Sequence, residues 1–156
     1  MKLDDANPDN LLLIAHRRNL NPRAQPLAFP ESNPYAYMNL GSHPDIVERV
    51  WVGLNSGLPV DCRAIVHGAP ALVHPNAGVV FAMAYGTRYV LRIAEAFLPV
   101  ALARGCTPEQ TWSGGAKTDI GALFGPDWLF GNWIQEESKW LFATYERLEN
   151  AFCRRA

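Results

Sequence analysis

The strongest constraint on the fold comes from four short apolar segments in the middle of the chain, CRAIVHG, ALVHP, GVVFAMAY and TRYVLRI. They are rich in β-branched and aromatic residues and are separated by turn-forming residues, which is the pattern of strands rather than helices. One connection contains Asn76 and Gly78, which tolerate positive φ, and another is the pair Gly86 and Thr87. Because such short connections join antiparallel neighbours, the pattern predicts an antiparallel meander of three or four strands.

Helices are predicted on both sides of the meander in the sequence. Ser42 opens an S-x-x-D sequence typical of a helix N-terminus, and apolar residues then recur at helical spacing until Gly57 and Pro59. Two further helices are predicted at about 97–104 and 135–152, the second with a continuous apolar stripe. The predicted fold class is therefore α+β, a three- to four-stranded antiparallel meander with the C-terminal helices packed on one sheet face.

The N-terminal region, residues 1–41, is predicted to differ from the single α+β domain at 42–156. It begins with a helix at LLLIAHRRN, although the apolar start of that segment also suits a buried strand. A proline-rich arm follows, with prolines at a spacing of four, which excludes regular helix there: Pro22, Pro26, Pro30 and Pro34. The arm is too apolar for a solvated linker, so we expect it to wrap over its own domain or over a second subunit.

Composition excludes several classes of function. The chain has 156 residues, is 49% hydrophobic and carries a net charge of −1, so it has no general field to hold nucleic acid. Its cysteines, Cys62, Cys106 and Cys153, are widely spaced and lack a Cys-x-x-Cys motif, which argues against disulfides and structural zinc. The apolar run near the N-terminus is too short for a signal peptide or a membrane span. We therefore expect a cytoplasmic protein without a membrane partner, a metal or another cofactor.

Part of the chain resembles a known family. The helix IVERVWVGL, the strand CRAIVHG and the hairpin GVVFAMAYGTRYVLRI are similar to the core of TfoX N-terminal and YjbR-like small α/β domains, over about residues 46–104. In this resemblance Arg63 leads the first strand, Gly68 is a retained glycine, and an aliphatic–basic pair ends at Arg92. His67 stands where the family has the first of two adjacent glycines. The resemblance implies a compact regulatory or binding domain rather than an enzyme, and it supplies no catalytic residue.

A glycine-rich stretch near the C-terminus, TWSGGAKTDIGALFGPDWLFGNW, contains a fragment of a phosphate-binding loop. Lys117 and Thr118 match the end of the G-x-x-x-x-G-K-[ST] motif, but Ala116 and Thr111 occupy its two glycine positions. A nucleotide site is therefore not expected. The tryptophans of the stretch suit either a cover over the sheet or a platform for a ligand or partner, and both interpretations remain open.

The candidate binding residues combine histidines, arginines and tryptophans. His67 and His74 lie on neighbouring predicted strands and could approach each other, although hydrogen-bonded structural roles are the simpler explanation of both. Together with arginine forks and stacked indoles they would suit a small anionic or planar ligand. The complete candidate set for a pocket or interface is His67, His74, Arg63, Arg92, Trp112, Trp128 and Trp133.

No complete catalytic or metal-binding constellation is present in the sequence. The first hypothesis is therefore a non-enzymatic protein-interaction or regulatory module, with a protein or a second copy of the chain as its partner, dimerising through the arm. The second is a small-ligand-binding protein or enzyme with a His/Arg/Trp pocket. The third is an immunity- or antitoxin-type inhibitor, which the size and charge of the chain would suit.

Overall fold

A computed structural model describes residues 1–30 and 42–155 of the 156-residue chain. The α-helices within these ranges are α1 (Pro8–Leu20), α2 (Pro44–Glu48), α3 (Leu98–Ala103), α4 (Ile120–Phe124) and α5 (Glu137–Arg155). The strands are β1 (Leu27–Ala28), β2 (Arg63–Val66), β3 (Ala69–Val73), β4 (Val80–Tyr85), β5 (Arg88–Arg92), β6 (Glu109–Thr111), β7 (Lys117–Asp119) and β8 (Trp128–Phe130). Helix α2 continues into a π-helical segment, Arg49–Leu54, and a 3₁₀ turn, Asn55–Gly57, and another 3₁₀ turn, Glu95–Phe97, precedes α3.

The main sheet has six strands in the order β1-β2-β3-β4-β5-β8, and every neighbouring pair is antiparallel. Strands β6 and β7 form a separate hairpin. The predicted α+β class and antiparallel sheet are confirmed, but the predicted number of three or four strands is too low. The additional strands are the edges: β1 has two residues and β8 has three, which is too short to produce a period-two signal in the sequence.

Both predicted hairpin turns are present in the meander. Between β3 and β4, the His74 N–H donates to the Val79 carbonyl at 2.9 Å, and Gly78 has a φ of 69°. Between β4 and β5, Tyr85 pairs with Arg88 across a two-residue connection. The positive φ values at the turns explain why glycine occurs in both connections.

Helices cover both faces of the sheet, whereas the prediction concerned only the C-terminal helices at about 97–104 and 135–152, which it placed on one face. All five residues of β3 and the first five of β4 are buried, and alternate side chains on a strand point to opposite faces. Both faces are therefore apolar and need a cover. Helix α2 with its π-helical continuation, α3 and α5 pack on one face, which we call the α5 face. Helices α1 and α4 pack on the other, the α1 face.

The start of α2 differs from the prediction by its capping residue. The cap is His43 rather than Ser42: the His43 Nδ1 accepts a hydrogen bond from the Asp45 N–H at 3.1 Å, and Pro44 occupies the first turn. The imidazole Nδ1 of His43 therefore fills the role that a serine hydroxyl usually has. The predicted apolar face is buried at Ile46, Val47, Val50, Trp51 and Leu54, and its last predicted member, Leu58, is partly buried.

The N-terminal region is attached to the sheet by buried polar contacts. In α1, the Asn10 side chain accepts a hydrogen bond from the Val80 N–H at 3.0 Å and donates to the Gly78 carbonyl at 2.8 Å. Strand β1, from the first part of the arm, pairs with β2 at the sheet edge. The rest of the arm, residues 31–41, lies outside the described residues, and so does the prediction that it wraps the domain or crosses to a second subunit.

Candidate functional site

A buried carboxylate organises the α5 face. Glu137 is the first residue of α5 and is completely buried. Its Oε1 accepts hydrogen bonds from the Arg49 Nη2 at 2.7 Å and from the Tyr89 hydroxyl. Its Oε2 accepts from the Asn132 N–H at 2.8 Å and from the Cys106 Sγ at 3.5 Å. Because both oxygens have donors and one donor is a cation, the charge is compensated although it is shielded from water.

The same contacts hold Trp133 in an unusual position. The backbone N–H of Trp133 donates to the Tyr89 hydroxyl at 2.7 Å, and the φ of Trp133 is 56°, in the left-handed region. This conformation costs a residue with a side chain about 1–2 kcal/mol, so the surrounding contacts must maintain it. The guanidinium carbon of Arg49 lies 5.7 Å from the centre of the Tyr89 ring and 5.8 Å from that of Trp133. The indole is thus fixed from its backbone and from one neighbouring cation, yet 52% of the residue is exposed.

Trp133 borders an open groove of about 540 Å³ on the surface of α2 and its π-helical continuation, which we call the Trp133 groove. Its lining residues are Asp45, Glu48, Arg49, Val52, Gly53 and Trp133. Val52 is 57% exposed, which adds an aliphatic surface beside the indole.

The rim of the Trp133 groove is acidic. The Arg49 charge is paired internally with Glu137, so it does not balance the two exposed carboxylates of the groove. Asp45 has the His43 Nδ1 at 3.8 Å, and Glu48 has no ion pair among the residues that the structure describes. The groove therefore combines apolar surface with unbalanced negative charge.

The titratable groups around Glu137 remain in their hydrogen-bonding forms at neutral pH. Burial, with the neighbouring Glu137 charge, raises the pKa of the Tyr89 hydroxyl and raises the pKa of the Cys106 thiol to about 12. Burial would lower the pKa of Arg49, but hydrogen bonds to Glu137 and Tyr89 outweigh it and raise that pKa. These groups are suited to positioning Trp133 rather than to exchanging protons.

Arg63 and Arg92, two of the arginines selected from the sequence, have different surroundings. Arg63 is exposed and forms a local ion pair with Asp61 at 2.8 Å. Arg92 is buried and donates to the carbonyls of Val80 at 3.1 Å and Asp9 at 2.7 Å. Arg92 therefore joins β5 to β4 and α1 and is not available to a ligand.

Trp128 is also part of the interior. It is completely buried in β8, with the Arg92 guanidinium carbon 4.9 Å from its ring centre and the Phe124 ring centre at 5.1 Å. Among the candidate residues, Arg92 and Trp128 are thus in contact, but as a structural pair.

His67 and His74 do not converge in the structure, because they lie at opposite ends of the five-residue strand β3. His67 lies in the β2–β3 turn, where it has a φ of 42° and is buried. The His74 Nδ1 accepts from the N–H groups of Asn76 at 3.2 Å and Ala77 at 2.9 Å, which makes it part of the next turn. Both histidines therefore shape turns at opposite ends of one strand.

Trp112 lies on the α1 face, away from Trp133. Its Nε1 donates to the Thr118 Oγ1 at 2.6 Å, and its ring is stacked on Tyr85 with ring centres 6.2 Å apart. The three tryptophans of the glycine-rich stretch thus lie in three environments. Trp128 lies in the interior, Trp133 on the α5 face and Trp112 on the α1 face.

Several central residues were missed from the sequence. Arg49 and Glu137 are separated by 88 positions, and Tyr89 and Glu137 by 48, so no local spacing indicates that they meet. The only sequence signal is indirect, since Glu137 precedes an amphipathic helix and is indistinguishable there from an ordinary first-turn acid.

Within the described ranges, no group of three or more His, Cys, Asp or Glu side chains is arranged to hold a metal ion, and none of the helices is long and apolar enough to cross a membrane. Comparisons with protein-family models, curated proteins and solved structures find no match to this chain. The similarity to TfoX N-terminal and YjbR-like domains stays a prediction.

Proposed function

We propose that this protein is a non-enzymatic interaction module whose Trp133 groove binds a partner protein through a basic residue flanked by an apolar one. The observation that carries the proposal is the fixed, half-exposed Trp133, held in a left-handed conformation by the Tyr89 hydroxyl. Strained backbone at an exposed aromatic residue is typical of binding sites, because folding alone does not require it.

The rigidity of Trp133 favours binding over simple surface exposure. A side chain that is ordered before association loses little conformational entropy on binding, and tryptophan is among the residues that most often dominate interface energies. Here the indole is constrained by the hydrogen bond of the Trp133 backbone N–H and by the Arg49 guanidinium. Val52 extends the apolar surface beside it.

The charge of the groove selects the partner. Asp45 and Glu48 are exposed carboxylates at the rim, whereas the Arg49 charge is paired with Glu137. A lysine or arginine of the partner would be attracted to these carboxylates and to the face of the indole. An acidic partner would be repelled. The proposed partner surface is therefore basic and apolar, and association should weaken as salt increases.

The test is a selection of short random peptides displayed on phage against the full-length protein. The variant Trp133→Ser removes the anchor, and Leu11→Ser is its matched control because Leu11 is 53% exposed on α1, on the other sheet face. We expect the enriched peptides to place Lys or Arg beside an aromatic or aliphatic residue, and to bind Trp133→Ser about tenfold more weakly than the control. Enrichment of acidic peptides, of peptides that bind both variants equally, or of none would overturn the proposal.

A further inference from the structure

We infer that a second site, on the α1 face, binds a small planar aromatic carboxylate. The site is an open pocket of about 380 Å³, which we call the Trp112 pocket, lined by Arg17, Leu20, Tyr85, Gly86, Trp112 and Thr118. Pockets for small ligands have volumes in this range and combine aromatic walls with a few polar groups. It shares no residue with the Trp133 groove, so it goes beyond the interaction proposed there.

Arg17 supplies a cation without a counter-ion. It is only 9% exposed, and its Nη2 donates to the His67 carbonyl at 3.1 Å. Its Nε has no hydrogen-bond partner, and none of the ion pairs involves it, within the part of the chain that the structure describes. A buried guanidinium with an unused donor and no neighbouring carboxylate is unfavourable, and an anion entering the pocket would relieve it. None of the six lining residues is acidic.

The aromatic wall is preformed. Tyr85 and Trp112 are stacked with an interplanar angle of 23°, and the Trp112 Nε1 is fixed by the Thr118 Oγ1. The Tyr85 hydroxyl is 2.8 Å from the His16 Nε2, and the Phe124 ring centre lies 5.9 Å from that of Tyr85 in an edge contact. Because these rings are held by their neighbours, a planar ligand would meet an ordered surface and lose little affinity to reorganisation.

The polar groups of the wall fit a carboxylate better than a neutral ligand. The Thr118 Oγ1 accepts from the Trp112 Nε1, and the Thr118 hydroxyl also forms a hydrogen bond with the Tyr85 hydroxyl, so the unused donor of the pocket is that of Arg17. The Arg17 guanidinium, with its fork geometry, is the side chain best suited to a carboxylate. A cation with an unused donor beside an aromatic wall therefore specifies an aromatic acid.

The test uses isothermal titration calorimetry of the full-length protein with 1-naphthoate, and with 1-naphthamide as its neutral isostere. We expect saturable 1-naphthoate binding and at least about tenfold weaker binding of the amide, because only the acid pairs with Arg17. Trp112→Leu should weaken 1-naphthoate binding about tenfold, and Arg17→Lys should weaken it severalfold by removing the fork. Trp133→Ser, on the other face, should leave it unchanged.

The comparison of the two probes on the unaltered protein needs no variant, so it holds even if Arg17→Lys is poorly folded. Equal affinity for the acid and the amide, no saturable binding up to about 1 mM acid, or unchanged binding by a folded Trp112→Leu would overturn the inference. Because Trp133 is not part of this pocket, failure here would leave the interaction proposal intact.

Discussion

Tyr89 and Glu137 form a hydrogen bond in the core of the α5 face, where both residues are completely buried. The hydroxyl donates to the Glu137 Oε1 and accepts the Trp133 N–H at 2.7 Å. One oxygen atom of β5 therefore connects the first residue of α5 to the exposed tryptophan. The position of Trp133 on the surface depends on a polar contact that no solvent reaches.

Replacing Tyr89 with phenylalanine should test this connection. The change leaves the ring in place but removes a donor to the Glu137 carboxylate and the acceptor of the Trp133 N–H. We expect the free energy of unfolding, measured by urea denaturation, to fall by about 1–3 kcal/mol, and the near-ultraviolet circular dichroism of tryptophan to weaken. Tyr145→Phe is the control, because no hydrogen bond of that hydroxyl is present among the described residues, and it should change stability by less than about 0.5 kcal/mol. Equal effects of the two substitutions would contradict the role of the Tyr89 hydroxyl.

A methyl group at position 131 should disrupt the same region sterically. A Cβ on Gly131 would lie 2.0 Å from the Tyr89 Cε2, and the Gly131 N–H is tied to the Tyr89 carbonyl at 3.0 Å, so neither residue can easily withdraw. We expect Gly131→Ala to reduce the free energy of unfolding by about 3 kcal/mol in thermal or urea denaturation. Gly121→Ala, where the nearest atom is the Asp119 Oδ1 at 3.2 Å, is the matched change in α4 and should be nearly neutral. Nearly equal stability of the two variants would show that a side chain is tolerated at position 131.

The part of the fold that the sequence predicts well is the part encoded by local residue patterns. The four central strands and their turns follow from β-branched and aromatic content and glycine placement, and the buried face that includes Val50 and Leu54 follows from helical spacing. The edge strands β1 and β8 do not, because two or three residues carry no measurable period. The cover of the second face by α1 and α4 was not predicted, since an entirely apolar strand such as β3 does not specify which helices pack on each of its sides.

The candidate sites are less predictable because they depend on tertiary contacts. Trp112 and Trp133 are identifiable as unusual residues, but their partners Arg17 and Arg49 come from distant segments. Arg92 and His74 were attractive candidates by residue type, and the structure gives them internal roles. Residue type alone therefore does not distinguish a cation that faces a pocket from one that joins elements of the core.

Thiol reactivity should distinguish the three cysteines. Cys62 and Cys106 are buried, and burial raises the pKa of each thiol to about 12, whereas Cys153 is exposed near the end of α5. Because the thiolate is the reactive form, a disulfide reagent such as DTNB should modify one thiol per native chain rapidly and the others only after unfolding. Cys153→Ser should abolish the fast phase. A second fast thiol in the native protein would contradict the burial of Cys62 or Cys106.

Stability should decrease as the pH falls below the ordinary histidine range. Burial lowers the pKa of His67 and His74 from about 6.5. At a pH between the pKa of the folded protein and that of the unfolded chain, the unfolded chain therefore binds more protons than the folded protein. Stability is therefore fully present above about pH 6.5 and is lost as the pH falls through this window. Urea denaturation at a series of pH values should show this decline, and His74→Gln should make it shallower. Unchanged stability across the window would contradict neutral, buried histidines.

The most direct measurement concerns Trp133 itself. It compares the dissociation constants of one selected basic–apolar peptide for Trp133→Ser and Leu11→Ser, after urea denaturation has shown that the two variants have equal free energies of unfolding. Both positions are exposed, at 52% and 53%, so neither substitution should alter the core. We expect Trp133→Ser to weaken binding at least about tenfold and Leu11→Ser to leave it unchanged, because only Trp133 is held beside the acidic groove. Equal affinities of the two variants would contradict a binding role for Trp133.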